Sequence, residues 1–194
     1  MSEMLSCCDE NLCCIAPVER DVVHKTGVWH KTAHVWLYDA EGYVYFQVRT
    51  DADKLYTSAS GHVMYNESPK QTAKREAQEE LGVNLDTNNM ELLEIDAWKF
   101  DSDTKHDHAF SHIYLYKLPQ NYNEFNTDKN EVLGIVKIKA TEILDVLLGK
   151  TNSCNQYDLN NNKLETNKEL LLMPGEIGIL KYGRIIQAIV KKQA

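Results

Sequence analysis

Aromatic and β-branched residues alternate with polar ones through "HVWLYDAEGYVYFQVR", residues 34–49, and the turn cluster "DAEG" divides the run in two. A period of two interrupted by Asp, Glu and Gly is the pattern of a β-hairpin. The same alternation marks "ELLEIDAWKF" (91–100), "HIYLYKL" (112–118) and "EVLGIVKI" (131–138) as further strands. "DSDTKHDHAFS" (101–111) is polar and reads as a loop between two of them, and the Asn-rich "TNSCNQYDLNNNKLETNK" (151–168) reads as a surface loop. "ATEILDVLLG" reads as a short helix closed by Gly149, and "GILKYGRIIQAIVKK" as a closing helix that carries Gly183 inside it. No repeat is present. Strands interleaved with helices predict a layered α/β (α+β) domain.

The strongest helical signal lies within "GHVMYNESPKQTAKREAQEELGV", residues 61–83. Ser68 suits the N-cap, Pro69 the first helical position, and Gln71 completes a capping-box pattern. Gly82 suits the position just past the end, so the predicted helix runs from Pro69 to Leu81. Ala73, Ala77 and Leu81 form one apolar stripe, narrow enough for close approach to a sheet. Glu76, Glu79 and Glu80 share another face around Arg75. Like charges at these spacings cost a few tenths of a kcal/mol per pair. Glutamates in the last turn also oppose the helix dipole. A solvated acidic face is the bland explanation. The chemical one is a hard divalent cation, which takes oxygen ligands and binds through carboxylates together with substrate phosphates.

The chain has 194 residues, is 43% hydrophobic and carries a formal charge of -8. That length suits one domain. The negative charge argues against an open nucleic-acid or anionic-membrane surface, while a bound metal can still present a positive field to a phosphate. No apolar run reaches membrane-spanning length, and "MSEMLSCCDENLCC" lacks the basic start and apolar stretch of a signal peptide. A cytoplasmic protein is expected. The five cysteines, Cys7, Cys8, Cys13, Cys14 and Cys154, lack the ligand spacing of a structural zinc site. They read as reduced thiols in a partly buried segment, with no disulfide assigned.

The quoted stretch resembles the Nudix box, in which G and E are separated by five residues and E is followed after seven by R-E-U-x-E-E-x-G-U. Gly61, Glu67, Arg75, Glu76, Glu79, Glu80, Gly82 and Val83 match, and Ala77 stands where a bulky aliphatic residue is usual. The resemblance implies an α/β/α sandwich with a mixed sheet between helices. It also implies hydrolysis of a nucleoside diphosphate linked to another moiety, with Mg²⁺ or Mn²⁺. Carried over by position, Glu76, Glu79 and Glu80 bind metal, Glu67 and the Gly61 carbonyl complete or adjoin its shell, and Arg75 orients the glutamates. Glu79, Glu76 and Arg75 are the catalytic candidates. A single Nudix domain over 1–194 is expected, with a core of about 20–150 and an extension at 151–194. Its partner is a small diphosphate substrate, and relatives often form homodimers.

"VVHKTGVWHKTAHVWLYDAEGYV" followed by "SASGHV" is similar to the branch that holds isopentenyl diphosphate isomerase and its hydrolase relatives. That likeness implies a second metal or substrate site at His24, His30 and His62, with Asp107 a looser match for an acidic ligand. The isomerase's catalytic cysteine falls at Ser60 and its later glutamate near Ala109. Neither residue supplies the same proton chemistry, which favours hydrolase over isomerase. A nucleotide-sensing module without catalysis is the third reading, and the intact box acids weigh against it. Glu131 is a further acidic candidate. His106, His108 and His112 are candidates for phosphate contact, and Trp29 or Tyr65 for stacking on a base.

Overall fold

The computed structural model describes residues 2–50, 55–120, 122–167 and 176–193. A short ribbon of β1 (Met4–Leu5) and β2 (Val18–Glu19) leads into α1 (Arg20–Thr26). β3 (His30–Tyr38) and β4 (Tyr43–Arg49) form the expected hairpin, followed by β5 (Leu55–Tyr56), β6 (Ala59–His62) and α2 (Pro69–Leu81). Then come β7 (Glu91–Asp101), β8 (His106–Lys117), β9 (Val132–Lys139) and α3 (Ala140–Leu147). β10 (Ser153–Asp158), β11 (Lys163–Asn167) and α4 (Glu176–Lys191) close the chain. The large sheet has the order β11-β10-β9-β4-β3-β8-β7. Among the described residues only β3 and β8 run parallel in it, so the sheet is mixed. This is the α+β sandwich expected.

Two cores lie on opposite faces of that sheet. On one, Trp36, Phe46, Ile113 and Ile138 pack against Ile143 and Val146 of α3 and Tyr182, Ile185, Ile186 and Ile189 of α4. On the other, Ala33, Val35, Leu37 and Tyr114 pack against Ala73, Ala77 and Leu81 of α2. Alternation along β3 sends odd and even positions to the two sides. Ala77 is fully buried, and its small side chain suits the close seat of α2 on the strands.

β3 and β4 pair at a single rung, Tyr38 with Val44, and then part. β6 takes over the free edge of β3, from Thr32↔His62 to Val35↔Ala59, while β5 takes that of β4 at Gln47↔Tyr56. The hairpin therefore opens into a wedge, and α2 packs over β6 beside it.

Two expected loops are corrected. Residues 106–111 belong to β8, and the register continues to Asp101↔His106. The turn is only residues 102–105, closed by Ser102 N donating to Lys105 O at 2.8 Å. Polar residues occupy both faces of this strand end, so its period of two does not show as hydrophobic alternation. Residues 153–158 and 163–167 form a hairpin rather than a loop, and residue 168 lies outside the described residues. Asp158 Oδ1 accepts from the backbone of Asn160 and Asn162, and Asn161 sits at φ 64°, so the asparagines make the turn. The sequence reading also passed over α1 and the N-terminal ribbon, which are too short to show a period.

Ile186 has no exposed surface and sits between α4 and the sheet. Ile186→Ala is expected to lower unfolding free energy by about 2–5 kcal/mol in urea titration, with the m-value unchanged.

Candidate functional site

α2 begins as predicted. Ser68 Oγ accepts from Gln71 N at 3.3 Å, Gln71 Oε1 accepts from Ser68 N at 2.8 Å, and Gly82 closes the helix at φ 72°. With the alanine stripe fixed on the sheet, the glutamates of α2 turn toward the wedge. Arg75 gathers them: Nε donates to Glu67 at 2.9 Å, while Nη1 donates to Glu76 at 2.7 Å and to Glu79 at 2.9 Å. Its Nη2 also donates to the His62 carbonyl at 3.3 Å, which ties the helix to β6. Glu80 lies deeper, at 4% exposure. One of its oxygens accepts from Gln47 Nε2 at 2.8 Å and from Ser60 N at 3.0 Å, and the other pairs with Arg49 at 3.3 Å. Arg49 also faces Glu131 at 3.8 Å. A Cβ on Gly61 would overlap the Glu76 carboxylate, so only glycine admits that side chain.

Burial pushes the Glu76 carboxyl up to about 7, with Arg75 opposing and Glu80 adding to the rise. Glu80 is raised too, by burial first, against the hydrogen bonds from Ser60 and Gln47. Burial also works to raise Glu67, but the bonds from Arg75 and Thr72 prevail and its carboxyl ends below the usual range. Two neighbouring carboxylates that resist ionisation call for positive charge beyond Arg75. An all-oxygen donor set of this kind fits a hard divalent cation.

A second cluster adjoins the first. His24 of α1, His30 of β3 and His62 of β6 bring one ring nitrogen each within 4.8 Å of the others. His24 Nε2 and His62 Nε2 are 3.1 Å apart, and His30 Nδ1 lies 3.3 Å from the Val28 carbonyl. Asp107 Oδ1 lies 3.6 Å from His30 Nε2, which is buried and makes no hydrogen bond. Burial lowers all three imidazoles, His62 to about 3, which favours the neutral form that a metal ion requires of its histidine ligands. A buried polar atom with no partner is costly. A metal ion fits this donor set and would satisfy it.

The two clusters reach one cavity of about 510 Å³, through His62 and through Glu76 and Glu80. Glu76 and Glu80 stand at one end of it, reaching through the wedge from the α2 face of the sheet. Trp98, His34, Ser111 and Lys181 line the other, under α4. Thr32 Oγ1 donates to Ser111 Oγ at 3.0 Å and lies 3.4 Å from His34 Nε2. Lys181 pairs with Asp96 at 3.1 Å. Glu131 lines the rim, as does Asp107.

His106, His108 and His112 are not in the cavity wall. His106 and His108 both bond Asp101 at 2.7 Å on the opposite face, where Trp29 packs on Phe110 and His108. Tyr65 is half exposed and outside the wall. The aromatic residues that do line the cavity are Trp36, Tyr56, Tyr182 and Trp98, and sequence reasoning assigned Trp98 only to a strand. Its alternation with Asp96 and Phe100 gave the face, but not which face holds the site. His34, weighed from the sequence with His24 and His30 as a metal or substrate contact, does line the cavity, while Lys181 was missed.

The match to known proteins accords with this geometry. The NUDIX domain model covers residues 28–153. An uncharacterised Nudix hydrolase of Clostridium acetobutylicum is 31% identical over 76% of this chain and 75% of that protein. An isopentenyl-diphosphate Delta-isomerase of Serratia proteamaculans is 28% identical over 59% of this chain and 66% of that protein. A crystal structure from Deinococcus radiodurans superposes with a TM-score of 0.57 at 18% identity, covering 76% of this chain and 89% of that one. A NUDIX-family hydrolase of Clostridium perfringens gives 0.51 at 14%, covering 82% and 97%. The chain belongs to the Nudix family and is a pyrophosphohydrolase of that family.

His34 supplies a pH test. Burial, then Lys181 and His62, take its imidazole from 6.5 to about 3. The unfolded chain therefore binds the proton first, and stability is lost as pH falls from about 6.5 toward 3. At about pH 5 this amounts to about 2 kcal/mol, or about 4–8 °C in Tm. Between about pH 7.5 and 5, thermal melts of His34→Gln should lose that much less Tm than the parent.

Proposed function

We propose that this protein hydrolyses the diphosphate bond of a nucleoside diphosphate-linked small molecule with the help of Mg²⁺ or Mn²⁺. The observation that carries this reading is the clustering of box carboxylates, Glu67, Glu76 and Glu79 on Arg75 and Glu80 on Arg49, with Glu76 and Glu80 in the wall of a cavity that is otherwise aromatic and polar. Glu76, Glu79 and Glu80 hold the ion, with Glu67 and the Gly61 carbonyl beside it. When bound, it neutralises the diphosphate and makes water a better nucleophile at neutral pH. Arg75 fixes the direction of the Glu67, Glu76 and Glu79 carboxylates. Gln47 and the Ser60 N–H hold Glu80 ionisable and aimed at the wedge. Glu79, paired with Arg75 and more exposed than Glu67, Glu76 and Glu80, is our candidate for the carboxylate that takes the proton of the attacking water.

The distal wall favours a nucleoside over an isoprenoid tail. Thr32, Ser111, His34 and Lys181 bring hydrogen-bonding groups to that wall, and although they pair among themselves and with Asp96, they retain capacity for a polar ligand that an alkyl chain would not use. The flat edge of a base pairs with such groups while its face stacks on Trp98. Ser60 and Ala109 stand where isomerisation would need a thiol and a carboxylate. Ala109 is in the cavity wall and brings no proton-transfer group there. A pure sensing module has no use for four ordered box acids.

His24, His30 and His62, with Asp107 beside them, hold a second divalent ion at the junction of α1, β3 and β6. The orphaned His30 Nε2 supports this. Elemental analysis of the purified protein is expected to find a transition metal near one equivalent per chain. His62→Gln should lose it while Glu79→Gln keeps it. The -8 charge, with no helix among the described residues long and apolar enough to cross a membrane, supports a cytoplasmic enzyme acting on small molecules.

Turnover should be measured with Mg²⁺ on nucleoside di- and triphosphates, dinucleotides, nucleotide sugars and isopentenyl diphosphate. Glu79→Gln and Glu80→Gln should each lower kcat about 100-fold or more without loss of fold by circular dichroism. Undiminished turnover in both variants would refute the assignment. Tight binding with no turnover of any compound would favour the sensing module, and isomer formation without phosphate release the isomerase.

A further inference from the structure

The N-terminal cysteines lie outside the chemistry described so far. Residues 7–15 fold back on themselves. Asp9 N donates to Cys13 O at 2.9 Å, and Ile15 N donates to Cys7 O at 3.1 Å. These two bonds flank the bridge between Cys8 and Cys14 and make that pair a non-hydrogen-bonded one. Opposed residues of this kind have Cα atoms about 4.5 Å apart with side chains on one face. A disulfide spans Cα separations of about 4.4–6.8 Å. Cys7 points the other way, into a small core with Leu5 and Val23. Cys13, next to Cys14, also leaves that face. The turn between the pair is preformed, because Asp9 Oδ1 accepts from both Asn11 N and Cys13 N at 2.9 Å.

The pair is asymmetric in reactivity. Cys14 is exposed and Cys8 is buried. Lys31 Nζ donates to Cys14 Sγ at 3.1 Å, so negative charge that gathers on this sulfur during exchange faces an ammonium. Cys13 has no such partner; its sulfur lies 4.0 Å from the Asn11 carbonyl. All five cysteines are free thiols in the structure.

We propose that Cys8 and Cys14 are a reversible thiol–disulfide pair, in which Cys14 exchanges first with a low-molecular-weight disulfide of the glutathione class and Cys8 resolves it. Cys14 sulfur, as thiolate, attacks one sulfur of the small disulfide. The small S–S bond breaks, a first small thiolate leaves, and Cys14 carries the mixed disulfide. Cys8 then loses its proton to solvent and attacks the Cys14 sulfur. The mixed bond breaks and a second small thiolate leaves. Two protein thiols are oxidised by two electrons, and one small disulfide is reduced to two thiols. Burial holds the Cys8 thiol up at about 11, which makes closure slower than capture.

The loop carrying this pair is stitched to the catalytic face. Cys8 N donates to the Trp29 carbonyl at 2.9 Å, Lys31 N to Ser6 O at 3.0 Å, and Ser6 N to Val63 O at 2.8 Å. Cys7 bridges His30 itself. Closing the disulfide pins the strand that backs His30 and adjoins His62.

The reduced full-length protein, equilibrated in glutathione buffers of rising disulfide fraction and quenched with acid, tests this. Digestion after Glu10 separates the two cysteines, and mass spectrometry then reads which are joined. A Cys8–Cys14 linked peptide is expected, cleared by dithiothreitol, retained in Cys13→Ser and absent in Cys14→Ser. Closing this short loop should raise Tm by roughly 5–10 °C. Lys31→Met should slow glutathione capture on the order of tenfold while leaving the end point unchanged. A Cys13 link, a mixed disulfide that never closes, or free thiols at every ratio would each overturn the proposal.

Discussion

The buried carboxylate of Glu80 sets the terms for the rest of the site. At 4% exposure it needs donors, and an intact β3–β4 ladder would have none to spare. The hairpin parts after a single rung, and the parting supplies them: the Ser60 N–H from β6, the Gln47 amide from β4 and the Arg49 guanidinium further along. The wedge thus does two jobs. It solvates an acid inside the protein, and it opens a passage through the sheet by which α2, on one face, reaches a cavity on the other.

Charge balance at the passage is incomplete by design of the sequence. Arg75 binds three carboxylates at once, yet Glu76 and Glu80 still resist ionisation. Two guanidiniums, Arg75 and Arg49, face these acids and still do not offset their burial, and an added dication would supply further positive charge.

Much of this was legible in the chain. The caps of α2 and its alanine stripe are local signals, set by residues three or four apart, and the helix bounds follow from them. The hairpin and the central strands showed because one face of each is apolar. The failures share a cause. Residues 106–111 lie in a strand with polar groups on both faces, so a hydrophobic pattern cannot reveal it. Residues 153–167 carry a hairpin whose turn is written in Asn and Asp rather than Gly. Trp98, His34 and Lys181 come from β7, β3 and α4 and meet only because the sheet order places β8 between β7 and β3. No spacing along the chain encodes that.

β6 shows how little backbone joins the two clusters. Gly61 lies against Glu76, and the next residue, His62, gives its carbonyl to Arg75 and its ring to His24 and His30. A shift of this four-residue strand toward either side must therefore disturb both. Ser60, one residue earlier, holds Glu80 by its backbone, so a side-chain change there leaves that bond in place. The glutamate cage is therefore insensitive to which side chain stands at position 60, and that side chain is free to vary with the chemistry of the cavity wall.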